Sequence, residues 1–462
     1  MKLTLITAIS IFALSLCAAG QVPDTLWTGL YLDGYESYGY SVKQTTDDGF
    51  ILAGYNKQPG SATGNAFLAR SDVDGNRLWM GNYGGSAFDN AESVVQTADG
   101  GFLTAGATTS FSSDGMVYTV RTDESGDTLW TRTFGESGLD YYGSDATATI
   151  DSCYLITGNC CDVLNECRLV LLKYDDSGEL LWSQIYRDLW RKGFSVIQLE
   201  EGSIIIAGQA VVNDEGDAFL MKTDENGEML WFQSYRAWGS DTGLSVKSTF
   251  DGGFIISGST GWMPNVLKQL WLIKTDLEGD TLWTRTYGGN HHERGEEVCQ
   301  TLDGGFIAAG TSSSFHTFGV DDIYVVRTDS VGDTLWTYVY GANYPDRGYS
   351  VKQTSDGGFI VAGYTQSYSV TPGEYPNAIL IRFEPDYNPI VSDLTINIHN
   401  EDVVLNWRDV PQLFFREYRI YRSETPYFEV TGMTPLSVQT ENSFTDPGAA
   451  GNRYFYRVTV VY

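Results

Sequence analysis

Basic residues are scarce in this chain. Lys and Arg total 29 against 59 Asp and Glu in 462 residues, a formal net charge of −30. Like charges repel, which argues against nucleic acid or an anionic membrane surface as partner. Proline is also sparse, 12 residues against 51 Gly, so collagen-like and polyproline architectures are excluded. Only 4 His and 6 Cys are present, which leaves few ligands for a soft metal centre. After the first twenty residues no apolar run is long enough to cross a bilayer. Nucleophile elbow, zinc-protease helix, phosphate loop and dinucleotide fingerprint are all missing. What the chain has in quantity is Gly, 29 Tyr and 42% hydrophobic residues. That composition indicates short strands and tight turns, with apolar material for two or three domains.

Residues 1–20 read as a secretory signal: Lys2 is the positive end, Leu3 to Leu16 is apolar, and Ala18-Ala19-Gly20 offers small residues for cleavage. Cys17 suggests lipidation, but Leu16 stands where a lipoprotein signal needs a small residue. The mature chain is expected to be secreted or held at the cell surface. Cys153, Cys160, Cys161 and Cys167 fall within fifteen residues, a spacing that suits local disulfide pairing of open connectivity. No His lies near them, and adjacent cysteines are not a usual zinc-ligand spacing. Cys299 has no evident sequence partner.

One motif recurs seven times. It first reads Gly39-Tyr-Ser-Val-Lys-Gln-Thr45, then Asp47-Asp-Gly-Phe-Ile-Leu-Ala-Gly54, and its later copies end at Gly106, Gly158, Gly208, Gly258, Gly310 and Gly363. Each copy continues into a β-rich run with a central Arg or Lys, a turn, and a Leu-Trp run. One unit therefore holds four short strands, A to D, as expected of an all-β repeat. The Leu-Trp strand recurs at Trp27, Trp79, Trp130, Trp182, Trp231, Trp283 and Trp336, each 26 to 28 residues before the next strand-B glycine. The seventh unit lacks Leu-Trp, whereas Trp27 precedes any complete unit. Strand Thr25–Tyr31 is thus expected to complete the seventh sheet and close a seven-bladed β-propeller over residues 25–384. The pattern resembles secreted bacterial propeller repeats of the Gly-Gly-Phe-Ile-x-x-Gly type and, more distantly, kelch and WD-repeat propellers. The resemblance implies a fold and leaves function open.

After a linker at 385–389 the period is lost. Val403–Trp407, Tyr418–Arg422 and Tyr454–Thr459 resemble strands B, C and F of a fibronectin type III sandwich, with Trp407 in the core and Tyr454 or Tyr456 at the corner. Residues 390–462 are expected to form that module without its last strand.

Acids are placed by the repeat. The C–D turns read Asp72-Val-Asp-Gly75 and five similar sequences; they look like calcium loops but lack the distal bidentate Glu, so tight hairpins opened by Asp are expected. They also resemble the Asp-box hairpins of sialidase propellers. A base stands two residues before each such acid, from Arg70 to Arg382, and sevenfold recurrence assigns these bases to architecture. Residues 21–389 carry 50 acids against 22 bases, the last 73 residues 9 against 6, so the charge is largely copied turn chemistry. The D–A acids Glu36, Asp89, Asp140, Asp188, Asp241, Glu293 and Asp346 are expected near the mouth of the channel, capping their own turns rather than ringing a hard cation.

Variable B–C and D–A loops on a rigid scaffold are the expected binding face. The candidate binding residues there are Tyr35, Trp190, Trp238, Trp262, His291, His292, His316 and Tyr344, where aromatic rings can stack on sugars or anchor a protein. Three His with Glu293 or Asp321 could ligate a metal, but adjacent His291-His292 disfavours it, and neither metal nor cofactor is expected. The sequence reading is a secreted, monomeric, non-catalytic propeller that binds an extracellular protein or glycan, without nucleic acid or membrane insertion. The alternative is a carbohydrate-active propeller enzyme, a glycoside hydrolase or polysaccharide lyase.

Overall fold

The computed structural model describes residues 22–31, 36–58, 60–187, 191–212, 215–237, 239–261, 267–316, 319–369, 372–386, 395–399, 402–406, 417–424, 433–449 and 454–461. The signal-like segment 1–20, Asp188 and Trp407 lie outside these residues. Every regular element among them is a β-strand, and the fold is all-β.

The described residues up to Phe383 form seven four-stranded antiparallel sheets, six of them built from consecutive strands A to D. The A strands are Glu36–Gln44, Ser93–Gln96, Asp140–Ala148, Arg191–Gln198, Thr242–Ser248, Glu293–Gln300 and Asp346–Gln353. The seventh sheet takes its outer strand from the other end of the chain. Thr25–Tyr31 pairs antiparallel with Asn377–Phe383, and Leu30 opposes Ile379. This arrangement is consistent with a propeller.

The core lies between sheets rather than within one. B and C strands such as Phe102–Thr108 and Asn377–Phe383 are buried at every position, because both faces meet a neighbouring sheet. Ile51 and Leu68 of the first sheet pack with Val94, Phe102 and Val120 of the second. Phe50, Leu52 and Phe67 of the first sheet pack equally with Ile360 and Leu380 of the seventh. Each D strand is the outer edge, and its alternating side chains leave Leu78 and Leu129 more than half exposed.

Two sets of hydrogen bonds link neighbouring sheets, and both also join the seventh sheet to the first. In the first, the residue after the strand-A bulge accepts the backbone N–H of the next A strand. Val94 bonds Ser41, Ala146 bonds Ser93, Val196 bonds Asp145, Val246 bonds Ser195 and Val351 bonds Glu297. Val42 then bonds Ser350 at 3.2 Å, joining the first sheet to the seventh. In the second, a strand-A Gln accepts the turn N–H of the preceding sheet, as from Thr46 to Gln96 and from Ser355 to Gln44.

The repeated acid and the repeated base are one device. Lys173 meets Asp151 at 2.8 Å, Lys222 meets Glu201 at 3.1 Å, Lys274 meets Asp251 at 2.9 Å, and Arg121 and Arg382 meet Asp99 and Asp356 at 2.6 Å. Arg70 with Asp47 and Arg327 with Asp303 complete the set. A threonine two residues earlier donates to the same carboxylate in most copies, as Thr97 does to Asp99 at 2.7 Å. These hydrogen bonds, with the base, hold Asp99 and Asp151 down at about 2.

The C–D hairpins are tight Asp-opened turns. Asp123 Oδ1 accepts the N–H groups of Ser125 and Asp127, both at 2.9 Å. The turn glycine then carries positive φ, 85° at Gly126. It also lies under the Trp of the preceding D strand: a Cβ at Gly126 would come within 2.8 Å of the Trp79 ring. The Trp79 indole N–H bonds the Glu124 carbonyl at 3.2 Å, and the Tyr83 hydroxyl bonds the Gly126 carbonyl at 2.7 Å. The Leu-Trp and Asp-x-x-Gly motifs are therefore the two halves of one joint between sheets.

Cys161 and Cys167 oppose each other across a B–C hairpin and form a disulfide, while Cys153, Cys160 and Cys299 are free. Beyond residue 394 two three-stranded sheets form around Val403, Leu405, Tyr418, Ile420 and Val458. Tyr456 bonds Asp446 through its hydroxyl at 2.7 Å, and the Arg422 guanidinium lies 4.3 Å from the Tyr454 ring centroid.

Candidate functional site

Strand A of every sheet but the second carries a bulge between a glycine and the residue two places on, as between Gly39 and Ser41 or Gly295 and Glu297. A bulge adds one residue and turns its side chain aside from the ladder. Here the inserted positions include Tyr40, Phe194, Leu244, Glu296 and Tyr349, and these, with Glu92 at the equivalent place of the second copy, border one cavity of about 320 Å³. Residues from all seven sheets line it, which places it on the common axis of the A strands. These positions differ from copy to copy, whereas the core and turn positions repeat.

The cavity has two levels. At the level of the bulges, Tyr40 stacks edge-on with Tyr349 at 5.2 Å between ring centroids. Glu92 Oε1 accepts from the Asn90 amide at 2.6 Å, and Arg294 pairs with Glu296 at 2.7 Å. Burial pushes the Glu92 carboxyl up to about 7, and the Glu296 charge adds to the rise against the opposing Asn90 bond. Burial raises Glu296 as well, opposed by Arg294. A carboxylic acid that keeps its proton near neutral pH can donate a hydrogen bond or a proton.

Three residues along the strand, Lys43, Lys247 and Lys352 come from the first, fifth and seventh sheets. Glu297 lies among them. Its Oε1 meets Lys352 Nζ and, at 3.5 Å, Lys247 Nζ; its Oε2 accepts from Ser350 Oγ at 2.5 Å and the Val351 N–H at 3.1 Å. These cations hold the Glu297 carboxyl far below the usual range despite burial. Lys43 has no hydrogen-bond or ion-pair partner among the described residues. Burial, then repulsion from Lys352, pulls its ammonium down to about 7.

Of the rim residues read from sequence, the described ones do not line this cavity. Tyr35, Trp190, Trp238 and Trp262 lie outside the described residues. His291, His292 and Tyr344 are exposed, and His316 is half-buried. His292 Nδ1 accepts the Lys268 N–H at 3.2 Å, so its ring serves a loop joint. Asp321 is paired with Arg347 at 2.6 Å. Among the described residues no three His, Cys, Asp or Glu side chains converge as a metal-binding group.

The described D–A acids serve their own loops or pair with a neighbour, as expected from the sequence. None of the described ones lines the axial cavity. Loop ends leave backbone N–H groups that need acceptors, and these acids supply them. Asp89 accepts from Gly85 at 2.9 Å and Ser110 at 2.7 Å, Asp140 from Gly115 at 2.8 Å, and Asp241 from Ala237 at 2.7 Å. Glu293 accepts from Gln269 and Ser312 at 2.8 Å, and Asp346 from Ser367 at 2.6 Å. Glu36 pairs with Lys57 at 3.4 Å.

The cavity residues were missed because their shared position follows an invisible bulge. The signal was a strand-A column in which the copies disagree: Tyr, Glu, Ser, Phe, Leu, Glu, Tyr.

No protein-family model matches the chain, and no match is found among curated proteins. Among solved structures it is similar to Sqt1 from Chaetomium thermophilum, at 11% identity and TM-score 0.45, over 83% of this chain and 96% of that one. It is also similar to the α-L-arabinofuranosidase Arb93A from Fusarium graminearum in complex with an iminosugar inhibitor, at 12% identity and TM-score 0.42, over 63% and 92%. A polysaccharide lyase, an ulvan lyase, matches at 11% identity and TM-score 0.45, over 77% and 96%. These neighbours are propeller-like all-β proteins, two of them carbohydrate-active; likeness at this level carries no inference about activity.

Proposed function

We propose that this chain is an exported, monomeric, seven-bladed propeller with a C-terminal fibronectin type III-like module, and that it binds an extracellular glycan in its axial cavity. The observation that carries the reading is the cavity itself. Its wall sets aromatic rings beside a dense array of hydrogen-bonding groups, the combination that holds a polyhydroxylated ring. The seven sheets, their closure by Thr25–Tyr31 and the signal-like segment 1–20 support the rest. Relative to the rim residues singled out from sequence, this reading moves the ligand inward, onto side chains that vary while the scaffold around them repeats. A glycan array probed with the mature chain tests it: capture of a defined glycan is expected, and a blank array contradicts it.

A second reading has its own observation. Glu92 holds a proton near neutral pH in the same cavity as the Arg294-paired Glu296. An acid and a carboxylate with separated roles are what glycoside cleavage requires. On this reading the chain turns over a polysaccharide, and Glu92→Gln or Glu296→Gln lowers the rate at least a hundredfold in a reducing-end assay. A screen without turnover contradicts it.

A further inference from the structure

At the inner level of the cavity the charges do not balance. Lys43, Lys247 and Lys352 meet two carboxylates, Glu297 and Asp145. All four oxygens of those carboxylates are engaged. Glu297 is held by Lys247, Lys352, Ser350 and the Val351 N–H. Asp145 accepts Ser93 Oγ at 2.7 Å, Ser195 Oγ at 3.0 Å and the Val196 N–H at 3.1 Å. The Lys43 ammonium makes no ion pair or hydrogen bond among the described residues, although Glu297 and Asp145 lie near enough to favour its charge. An uncompensated charge withdrawn from bulk water is costly, and a counter-charge beside it is stabilising.

A second, independent feature marks the same place. Around the axis each post-bulge residue accepts the next strand's backbone N–H, except between the fifth and sixth sheets. There Ser245 Oγ, on a residue 3% exposed, has no partner, and Ser245 lines the cavity two residues from Lys247. A buried hydroxyl without a partner is unusual and marks a vacant bonding position.

We propose that the inner level of the axial cavity binds the carboxylate of a monoanionic ligand of the uronic acid class, with Lys43 as its counter-charge and Ser245 as hydrogen-bond donor. The sugar ring would occupy the outer level beside Tyr40, Tyr349 and Glu92. The volume, at the small end of the ~300–1,000 Å³ range for ligand sites, suits one ring. This proposal rests on the reading that the axial cavity is the glycan site, and it names the class of glycan.

Proton linkage follows from the surroundings of Lys43. The charged and titratable groups around it are Lys352, Glu297, Lys247, Asp145 and Cys299, with Glu92, Glu296 and Arg294 at the outer level. A bound anion favours the charged ammonium, so binding above pH 7 is accompanied by proton uptake and weakens as pH rises from 6 to 8.5.

The test is calorimetric titration of the mature chain with glucuronate, acetate and glucose, at pH 6 and 8.5, in buffers of differing ionisation heat. Glucuronate is expected to bind at least tenfold tighter than glucose, with acetate competing for the same site. Lys43→Met is expected to weaken glucuronate at least tenfold and to abolish proton uptake, while its unfolding temperature stays at or above that of the parent. Ser245→Ala keeps every charge and is expected to weaken glucuronate several-fold. Equal affinity for glucose and glucuronate, with both lost on filling the cavity by Leu244→Trp, would overturn the carboxylate proposal and leave the cavity reading standing. Glucuronate binding that is indifferent to both Lys43→Met and Leu244→Trp would overturn both. Absence of any glucuronate or acetate binding at millimolar concentration overturns the carboxylate proposal alone.

Discussion

Glu92 and Lys43 both change charge near neutral pH because the cavity withholds water from them. The consequences for stability have opposite signs. Glu92 keeps its proton to about pH 7 in the folded chain and releases it near 4.5 when unfolded. Between those values the folded state binds more protons, so stability falls as pH rises, by at most about 1.4 kcal/mol per pH unit. Lys43 is the mirror case: it loses its proton near 7 when folded and near 10.5 when unfolded, so its contribution rises with pH across that interval. Glu92→Gln should therefore flatten the decline between pH 5 and 7 in thermal unfolding scans. A decline of unchanged slope in that variant would contradict the burial argument. The clasp acids act in a third window. Asp99 and Asp151 sit at about 2, below their usual value, so their support is complete above about pH 4 and is lost as pH falls toward 2. None of this was legible residue by residue in the sequence. A lysine after Ser-Val looks the same in the first, fifth and seventh copies, and only ring closure brings the three near Glu297.

At the scale of the element, the sequence was most informative where it repeats. The Asp-x-x-Gly turn, the Leu-Trp strand and the acid–base columns each recur because every sheet must make the same joint to its neighbour. Their local geometry followed from turn chemistry alone; that Gly126 also lies against Trp79 did not, since the ring comes from the previous unit. Gly126→Ala should be costly for two reasons, a positive φ and a Cβ that meets the indole. About 2–4 kcal/mol is expected from strain and overpacking together, read as a shift of the denaturant midpoint at constant slope. A loss under about 0.5 kcal/mol would show that the joint yields. Arg121→Met should also destabilise, because Arg121 is 1% exposed and leaves the Phe102–Thr108 hairpin without its clasp. The strand-A bulge is the element that stayed hidden. Alternation of period 2 reads through an extra residue without signalling it, so the inward turn of Tyr40, Glu296 and Tyr349 could not be placed from pattern.

At the scale of the whole molecule, repetition and closure divide the labour. Seven similar sheets make the wall, and Thr25–Tyr31 pairing with Asn377–Phe383 removes the seam. That pairing was legible from the missing Leu-Trp of the last unit. A chain beginning at Glu36 should therefore lose cooperative unfolding, because the hydroxyl and indole bonds of Trp27 and Tyr31 to the first sheet go with the strand. The acidic turns, so prominent in composition, belong to the wall; the residues that do not repeat belong to the axis. Whether function resides on that axis or on the loop rim is decided most directly by comparing two variants on one glycan array. Leu244→Trp fills the cavity and leaves the rim intact, and Tyr344→Ala strips a rim aromatic and leaves the cavity open. Capture lost with Leu244→Trp and retained with Tyr344→Ala is the expected result; capture retained with Leu244→Trp and lost with Tyr344→Ala would place the ligand on the rim and contradict an axial site.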